Sequence, residues 1–366
     1  RLSAEEARRI NGEMIPIAGA PGQEGRLGFT LRVPLGVVCA ITPFNSPLNT
    51  VLHKVAPALA AGNAVLLKPA SYTPLTAELL CELLIEAGFP PDLIALLHGP
   101  GGSVGEWLCE EQAIRFYTFT GSTGVGLQIQ QRAGLRRTQM ELGSIASTIL
   151  CADADVEAAL PKVVAAGFRK AGQVCTSIQR LYVHAGVLDR TLPLLLDAVG
   201  KVRTGNPHLA ETVLGPMIDE REAVRAKTWI DEAAAGGARI LAGGERNRAL
   251  VQPTVIAGAT PGMRVYSEEI FAPVMTLVPF DDLTAAIADI NATPYGLAAG
   301  IFTNDLAMAF QAARGLEMGG VHINETSSSR VDLMPYGGCK ASGFGREGPA
   351  HAIRELTEER LITIAA

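Results

Sequence analysis

The chain has 366 residues, 48% hydrophobic and 5% aromatic, with 39 glycines and a formal net charge of −6. That length exceeds one ordinary core, and the lack of any basic segment or bilayer-length apolar run excludes nucleic acid and membrane as partners. Six scattered cysteines without a CxxC pair argue against a disulfide framework or a zinc site, so a cytoplasmic location is expected.

The first residues, "RLSAEEARRINGE", read as an exposed helix and not as a signal peptide. "GEMIPIAG" and "GRLGFTLRVP", with "APGQEG" between them, predict a long hairpin over residues 12–33. "LGVVCAIT" is a buried strand, and "SPLNTVLHKVAPALAAG" a helix closed by Gly62. "NAVLLKP" is a strand. "TPLTAELLCELLIEAG" is a helix with Pro74 in its first turn and Gly88 at its end. The strand "LIALLHG", the short helix "GGSVGEWLCEE", the strand "IRFYTFTG" and the helix opening at "STGVGLQIQQRAG" complete an alternation from residue 35 to about 145. Such alternation predicts a parallel sheet wrapped by helices, hence an α/β fold. A second alternating region runs from "ASTILCADADVEAALPKVVAAGF" through "GIFTND" to "GGVHIN", and the tail "ELTEERLITIAA" ends in an edge-strand-like run.

Several strings carry chemistry. "KAGQVCTSIQR" sets Cys175 among polar residues, where a buried structural cysteine would sit among apolar ones. It reads either as a small buried side chain or as a nucleophile in an open, polar surrounding. "FTGSTGVG" follows a strand and opens a helix. Its N–H groups and Ser122 suit a pyrophosphate, or it is an ordinary glycine-rich turn. Lys68 in "LLKPASYTP" faces a ribose or phosphate, or only solvent. Asn45 in "TPFNSPLN" is an oxyanion donor or a turn residue. Glu141 in "QMELGSIAS" is a general base or an exposed glutamate.

Order and spacing decide between these readings. Asn45, Lys68, "FTGST", Glu141, Cys175 at 34 residues after it, "EEIF" and "PYGGCKASG" together resemble the aldehyde dehydrogenase superfamily from about Gly12 to Ile364. The resemblance implies a Rossmann-like coenzyme domain over 35–146, an α/β catalytic domain over 147–344, a protruding oligomerisation hairpin over 12–33 and an oligomerisation strand over 357–366. A homodimer or homotetramer is therefore expected. It also implies an N-terminal segment covering the coenzyme domain; the sequence begins at Arg1, and that segment is either absent or lies ahead of it.

By the same resemblance Cys175 is the nucleophile, Asn45 the oxyanion donor and Glu141 the base that hydrolyses the thioester. Lys68, Ser71, Gly121 and Ser122 hold the adenosine ribose and pyrophosphate of NADP or NAD, and Glu269 and Phe271 hold its nicotinamide end. Ser71 stands where NAD-specific relatives carry a glutamate, which predicts that NADP is accepted. The substrate positions are Ser46, Thr50, His53, Arg330 and Tyr336. Four of them, Ser46, Thr50, His53 and Arg330, are polar or basic where a tunnel for apolar aldehydes would be greasy. A short polar or anionic aldehyde is the expected substrate, and the "RVDLMPYGG" string resembles the lactaldehyde, glyceraldehyde-phosphate and phosphonoacetaldehyde branch. Each residue also has a plainer reading: His53 is a satisfied histidine on a helix face, and Arg330 pairs with Asp332 or Glu325. Phe44, Ser144 and Ala272 depart from the family pattern without removing a reacting group. A CoA-acylating aldehyde dehydrogenase is the first alternative, which Glu141 argues against. A catalytically silent structural relative is the second, which would be expected to lack Cys175, Asn45 or Glu141.

Overall fold

Apolar runs rich in valine, isoleucine and leucine, broken by glycine-closed helices, form two separate α/β units. The computed structural model describes residues 1–365. Arg1–Glu141, Val331–Tyr336 and the chain from Phe344 onward make one unit, and Leu142–Arg330 with Gly337–Gly343 make the other.

The first unit is built on five parallel strands: β1 (Val37–Ile41), β2 (Ala64–Lys68), β3 (Ile94–Leu96), β4 (Ile114–Thr120) and β5 (Arg137–Glu141). Their order is β5-β4-β1-β2-β3, so the chain starts centrally and winds outward in both directions. Register aligns Ile41 with Lys68 and with Phe119, and Thr120 with Glu141. The carboxyl ends of four strands therefore lie along one edge, where open α/β sheets bind ligands. Val38, Ala40, Leu67 and Phe116 pack with Val51, Val55 and Ala58 of the helix Asn49–Ala60. Ala352, Ile353 and Leu356 join this core from the far end of the sequence.

The segment 12–33 pairs with itself over only two positions, Met14 with Phe29 and Ile15 with Gly28. Pro16 has no N–H to continue the ladder, and a single tight turn at Ile17–Gly19 follows it. The strand Leu27–Pro34 instead pairs along its whole length, antiparallel, with Thr357–Ile364. The expected terminal strand 357–366 thus occupies Thr357–Ile364, and Ala366 lies outside the described residues.

The second unit has a sheet of seven strands among the described residues: β6 (Ala146–Leu150), β7 (Ile178–His184), β8 (Arg239–Ala242), β9 (Thr254–Ala257), β10 (Val274–Phe280), β11 (Ala298–Phe302) and β12 (Gly320–Ile323). The order is β8-β9-β10-β7-β6-β11-β12, parallel except for β8 against β9. Alternation along the strands feeds two cores. Leu150 and Leu181 face one with Val163, Leu195 and Ile230, while Ile149 and Tyr182 face the other with Ile287, Ile301 and Ala312. Asp155, Asp219, Asp282 and Asp305 each cap a helix by accepting a backbone N–H two or three residues on, worth about 1 kcal/mol apiece.

Candidate active site

In the second unit the chain leaves the helix Val156–Phe168 and turns sharply before β7. Lys170, Ala171 and Gly172 make that turn at φ +52°, +54° and +67°. Left-handed backbone costs roughly 1–2 kcal/mol at each non-glycine position, so contacts around it must hold it. Ser177 Oγ donates to the carbonyls of Ala166 (3.0 Å) and Gly167 (2.9 Å). Ser327 and Ser328 Oγ donate to the Thr176 carbonyl at 2.9 and 2.8 Å. Gln173 Oε1 accepts the Ile218 N–H at 3.0 Å. Cys175 lies within this pinned stretch and is partly exposed.

The other thiols are placed for different work. Burial pushes Cys39 and Cys151 up to about 12, and raises Cys81 and Cys109 as well. Cys339 donates its S–H toward the carbonyls of Gly296 (3.3 Å) and Glu317 (3.2 Å). Cys175 has the Lys170 ammonium as an electrostatic neighbour within its own loop. Burial lowers Lys170 below the usual lysine range, Arg169 adds to that, and the Cys175 thiol opposes it. A positive neighbour favours the thiolate, which is the nucleophilic form.

The loop before β10 faces this turn. Phe271 is itself left-handed, at φ +48°. A Cβ on Gly172 would lie 2.6 Å from the Pro273 nitrogen and would overlap the Ala272 carbonyl, so only glycine lets the two backbones meet. Ser144 N–H donates to Glu269 Oε1 at 2.9 Å. Val174 and Ser177, on either side of Cys175, line one small cavity with Ser144, Glu269 and Phe271. The second unit thus gathers Glu269 and Phe271 with residues that flank Cys175. Arg330 is half-buried, two residues beyond the tethered Ser328.

The first unit gathers a different set along its strand edge. Asn45 and Ser46 follow β1, Lys68 ends β2, Gly121 and Ser122 follow β4, and Glu141 ends β5. Glu141 is 6% exposed, and its carbonyl accepts the Gly121 N–H at 3.1 Å. Ser122 begins the helix Thr123–Ala133 without capping it by its side chain. Lys68 is buried, which lowers its ammonium from the usual range against the opposing Cys39 thiol, and its Nζ donates to the Pro69 carbonyl at 3.2 Å. Three buried hydroxyls, of Thr42, Thr73 and Thr120, have no hydrogen-bond partner among the described residues, and all three belong to segments leaving this edge. Orphaned hydroxyls, a helix N-terminus and a buried ammonium are the donor set a dinucleotide pyrophosphate requires, so these residues fit one. Ser71 is exposed, and its Oγ donates to the Gly99 carbonyl at 3.1 Å.

Thr50 and His53 lie on the helix that follows Asn45, and the Thr50 N–H donates to the Ser46 carbonyl at 3.0 Å. His53 stands between two carboxylates, with Nε2 3.2 Å from Asp332 and Nδ1 3.2 Å from Glu347. Glu347 also pairs with the fully buried Lys54 ammonium at 2.9 Å. His53 is therefore a partnered histidine. Asp332 and Glu325, the two partners weighed for Arg330, are engaged by His53 and by Lys162 respectively. Tyr336 exchanges backbone hydrogen bonds with Glu347, and Phe44 packs edge-on to Tyr72 with centroids 6.2 Å apart. Sequence reading assigned no role to Lys54, Glu347, Gly172 or Gln179, since each works through residues far away in the chain.

Among the described residues no group of His, Cys, Asp and Glu is arranged to hold a metal ion, and no helix is long and apolar enough to cross a membrane. Residues 1–362 match the model of the aldehyde dehydrogenase family. The chain is 48% identical over 364 residues to the 3-sulfolactaldehyde dehydrogenase of Priestia aryabhattai, covering 100% of this chain and 76% of that protein. It superposes on the crystal structure of aldehyde dehydrogenase 21 from Physcomitrella patens, in complex with the reaction product succinate, with TM-score 0.96 and 39% identity over 99% of this chain and 76% of that one. The NADP-dependent glyceraldehyde-3-phosphate dehydrogenase of Bacillus halodurans C-125, complexed with NADP, matches with TM-score 0.96 and 36% identity, again over 99% and 76%.

Proposed function

The chain belongs to the aldehyde dehydrogenase family, and on that premise we propose that it oxidises a short anionic aldehyde to the carboxylic acid with NADP or NAD. The observation that carries the chemistry is the placement of Cys175: a partly exposed thiol in a strained, pinned turn beside the Lys170 ammonium, while four other cysteines are buried.

In this reading the Cys175 thiolate attacks the aldehyde carbon, and the side-chain amide of Asn45 donates to the oxygen that gains charge. Nicotinamide dinucleotide, when bound, supplies the two-electron oxidant. A thioester then joins the acyl group to Cys175. Glu141 takes a proton from water, whose oxygen attacks the thioester carbon, and the acid leaves as the thiolate re-forms. Lys68, Ser71, Gly121 and Ser122 hold the adenosine ribose and pyrophosphate, and Glu269 and Phe271 orient the nicotinamide end. The carboxylate at Glu141 favours transfer to water over transfer to CoA.

The relatives support the substrate class. One is named for a sulfonated aldehyde, one holds succinate and one is named for a phosphorylated aldehyde. All three compounds are short and carry an anionic tail. Arg330 and His53 are the residues assigned to that tail. An aldehyde panel with NADP and with NAD, read at the absorbance of the reduced cofactor, tests the proposal. Sulfolactaldehyde, succinic semialdehyde and glyceraldehyde 3-phosphate should exceed propanal in kcat/KM. Highest efficiency for long-chain or aromatic aldehydes would overturn it.

A further inference from the structure

We propose that Gln179 is a positioning residue for the coenzyme loop: its side-chain amide fixes the backbone around Glu269 and Phe271 to the strand that begins just after Cys175. This rests on the reading above, in which Cys175 is the nucleophile and Glu269 and Phe271 orient the nicotinamide end.

Gln179 is the second residue of β7, four positions after Cys175, and is 4% exposed. Its Nε2 donates to the carbonyls of Val265 (2.9 Å) and Glu268 (2.6 Å), and its Oε1 accepts the Ile270 N–H at 3.1 Å. One amide thus satisfies three main-chain groups, one of them immediately before Glu269 and one immediately after. The stretch from Glu268 to Pro273 belongs to no helix or strand, so a side chain supplies the partners that a ladder would otherwise provide. The base of the clamp is fixed as well, because Thr276 Oγ1 on β10 donates to the Gln179 carbonyl at 2.9 Å. Gln179 lines the same cavity as Ser144, Glu269 and Phe271.

The next residue grips the same segment from the opposite face of the strand. The Arg180 guanidinium lies 4.8 Å from the Tyr266 ring centroid, and its Nη1 donates to Tyr182 Oη at 3.2 Å. Tyr182 and Tyr266 both donate to Asp289. The chain before Glu269 is therefore held by Arg180 through Tyr266, the chain around it by Gln179, and the chain after it by the Gly172 contact with Ala272. All three holds start from residues within five positions of Cys175. A substrate carbon bound to Cys175 would give its two electrons to a coenzyme ring only across a fixed distance and angle, since small displacements cost about 10²-fold in rate.

The test compares Gln179→Leu and Gln179→Glu with the unmutated protein by three measurements: dissociation constants for NADP and NAD, the rate at which iodoacetamide alkylates Cys175 without dinucleotide, and thermal unfolding. Both variants should bind dinucleotide about tenfold more weakly or worse, with a matching fall in kcat, while alkylation stays within about twofold. Dinucleotide affinity within about twofold of the unmutated protein in either folded variant overturns the proposal, as does alkylation that falls in step with affinity. If Gln179→Leu does not fold, Gln179→Glu carries the test through pH. The protonated acid donates to one carbonyl, so its affinity deficit should shrink as pH falls, and a deficit independent of pH overturns the proposal. The underlying reading is checked separately. If alkylating the unmutated protein leaves aldehyde oxidation intact, the reading fails and the proposal with it. If alkylation abolishes oxidation but the variants bind normally, only the proposal fails.

Discussion

Gly172 packs so closely on Ala272 that a Cβ at residue 172 would overlap the Ala272 carbonyl and stand 2.6 Å from the Pro273 nitrogen. Gly172 also has φ +67°, so alanine there is strained as well as crowded. Gly172→Ala should cost about 2–3 kcal/mol in unfolding free energy. It should also push the two loops apart and lower kcat/KM by about two decades or more. Denaturant unfolding and steady-state kinetics check this, and near-native values for both would show that the contact is slack.

Lys170 is the charged neighbour of the thiol, and burial lowers its own ammonium from the usual range. Its support for the thiolate is present while it is protonated, and is lost as pH rises through that lowered value. Lys170→Met removes the charge at all pH values. The midpoint of the pH profile for Cys175 alkylation should then move upward, the effect of losing a nearby opposite charge. An unmoved or lowered midpoint would show that Lys170 does not act on the thiol.

Much of the first unit is legible in the sequence. Apolar runs such as "GVVCAI" and "AVLLK", each followed by a glycine-closed helix, specify parallel strands, and the chemistry-bearing residues sit where those strands end. The polarity of the stretch around Cys175 is legible too, and Gln173, Ser177 and Gln179 use it to hydrogen-bond main-chain groups. Long-range partners are not legible. His53 meets Glu347, nearly three hundred positions away, and neither residue's local sequence signals the other. The 12–33 hairpin looks long because both arms are β-rich, yet Leu27–Pro34 spends most of its edge on Thr357–Ile364. The left-handed turn at Lys170 and Ala171 is equally hidden, since neither residue type announces positive φ.

Substrate charge gives a paired prediction. An arginine fork on an anion contributes about 1.5–3 kcal/mol per charged hydrogen bond. Arg330→Ala should therefore raise KM for an anionic aldehyde by about one to two decades and leave propanal nearly unchanged. Asp332 lies 3.2 Å from His53 Nε2 and is itself largely exposed, so it competes with an anionic tail for that ring. Asp332→Asn should lower KM for the anionic aldehyde about two- to fivefold. Equal effects on charged and neutral aldehydes would remove both residues from tail recognition.

In the proposed coenzyme site the adenosine-ribose position is Ser71, which is exposed and donates to the Gly99 carbonyl. A neutral hydroxyl does not repel the extra phosphate of NADP, whereas a carboxylate would. The unmutated protein should accept NADP, and Ser71→Glu should shift the ratio of kcat/KM values toward NAD by about tenfold or more. Strict NAD preference before mutation would contradict this.

In the proposed reaction Cys175 carries an acyl group that Glu141 helps water to remove. Glu141 ends its strand buried, at 6% exposure, and Glu141→Gln keeps its shape while removing its basicity. The direct measurement is the intact mass of Glu141→Gln quenched within its first turnovers with an anionic aldehyde and NADP. A mass increase equal to the acyl group, located on Cys175, is expected alongside a burst of about one equivalent of reduced cofactor per site. Cys175→Ala should show neither. Full steady-state activity in Glu141→Gln with no adduct on Cys175 would rule out the acyl-enzyme and the role of Glu141 in its hydrolysis.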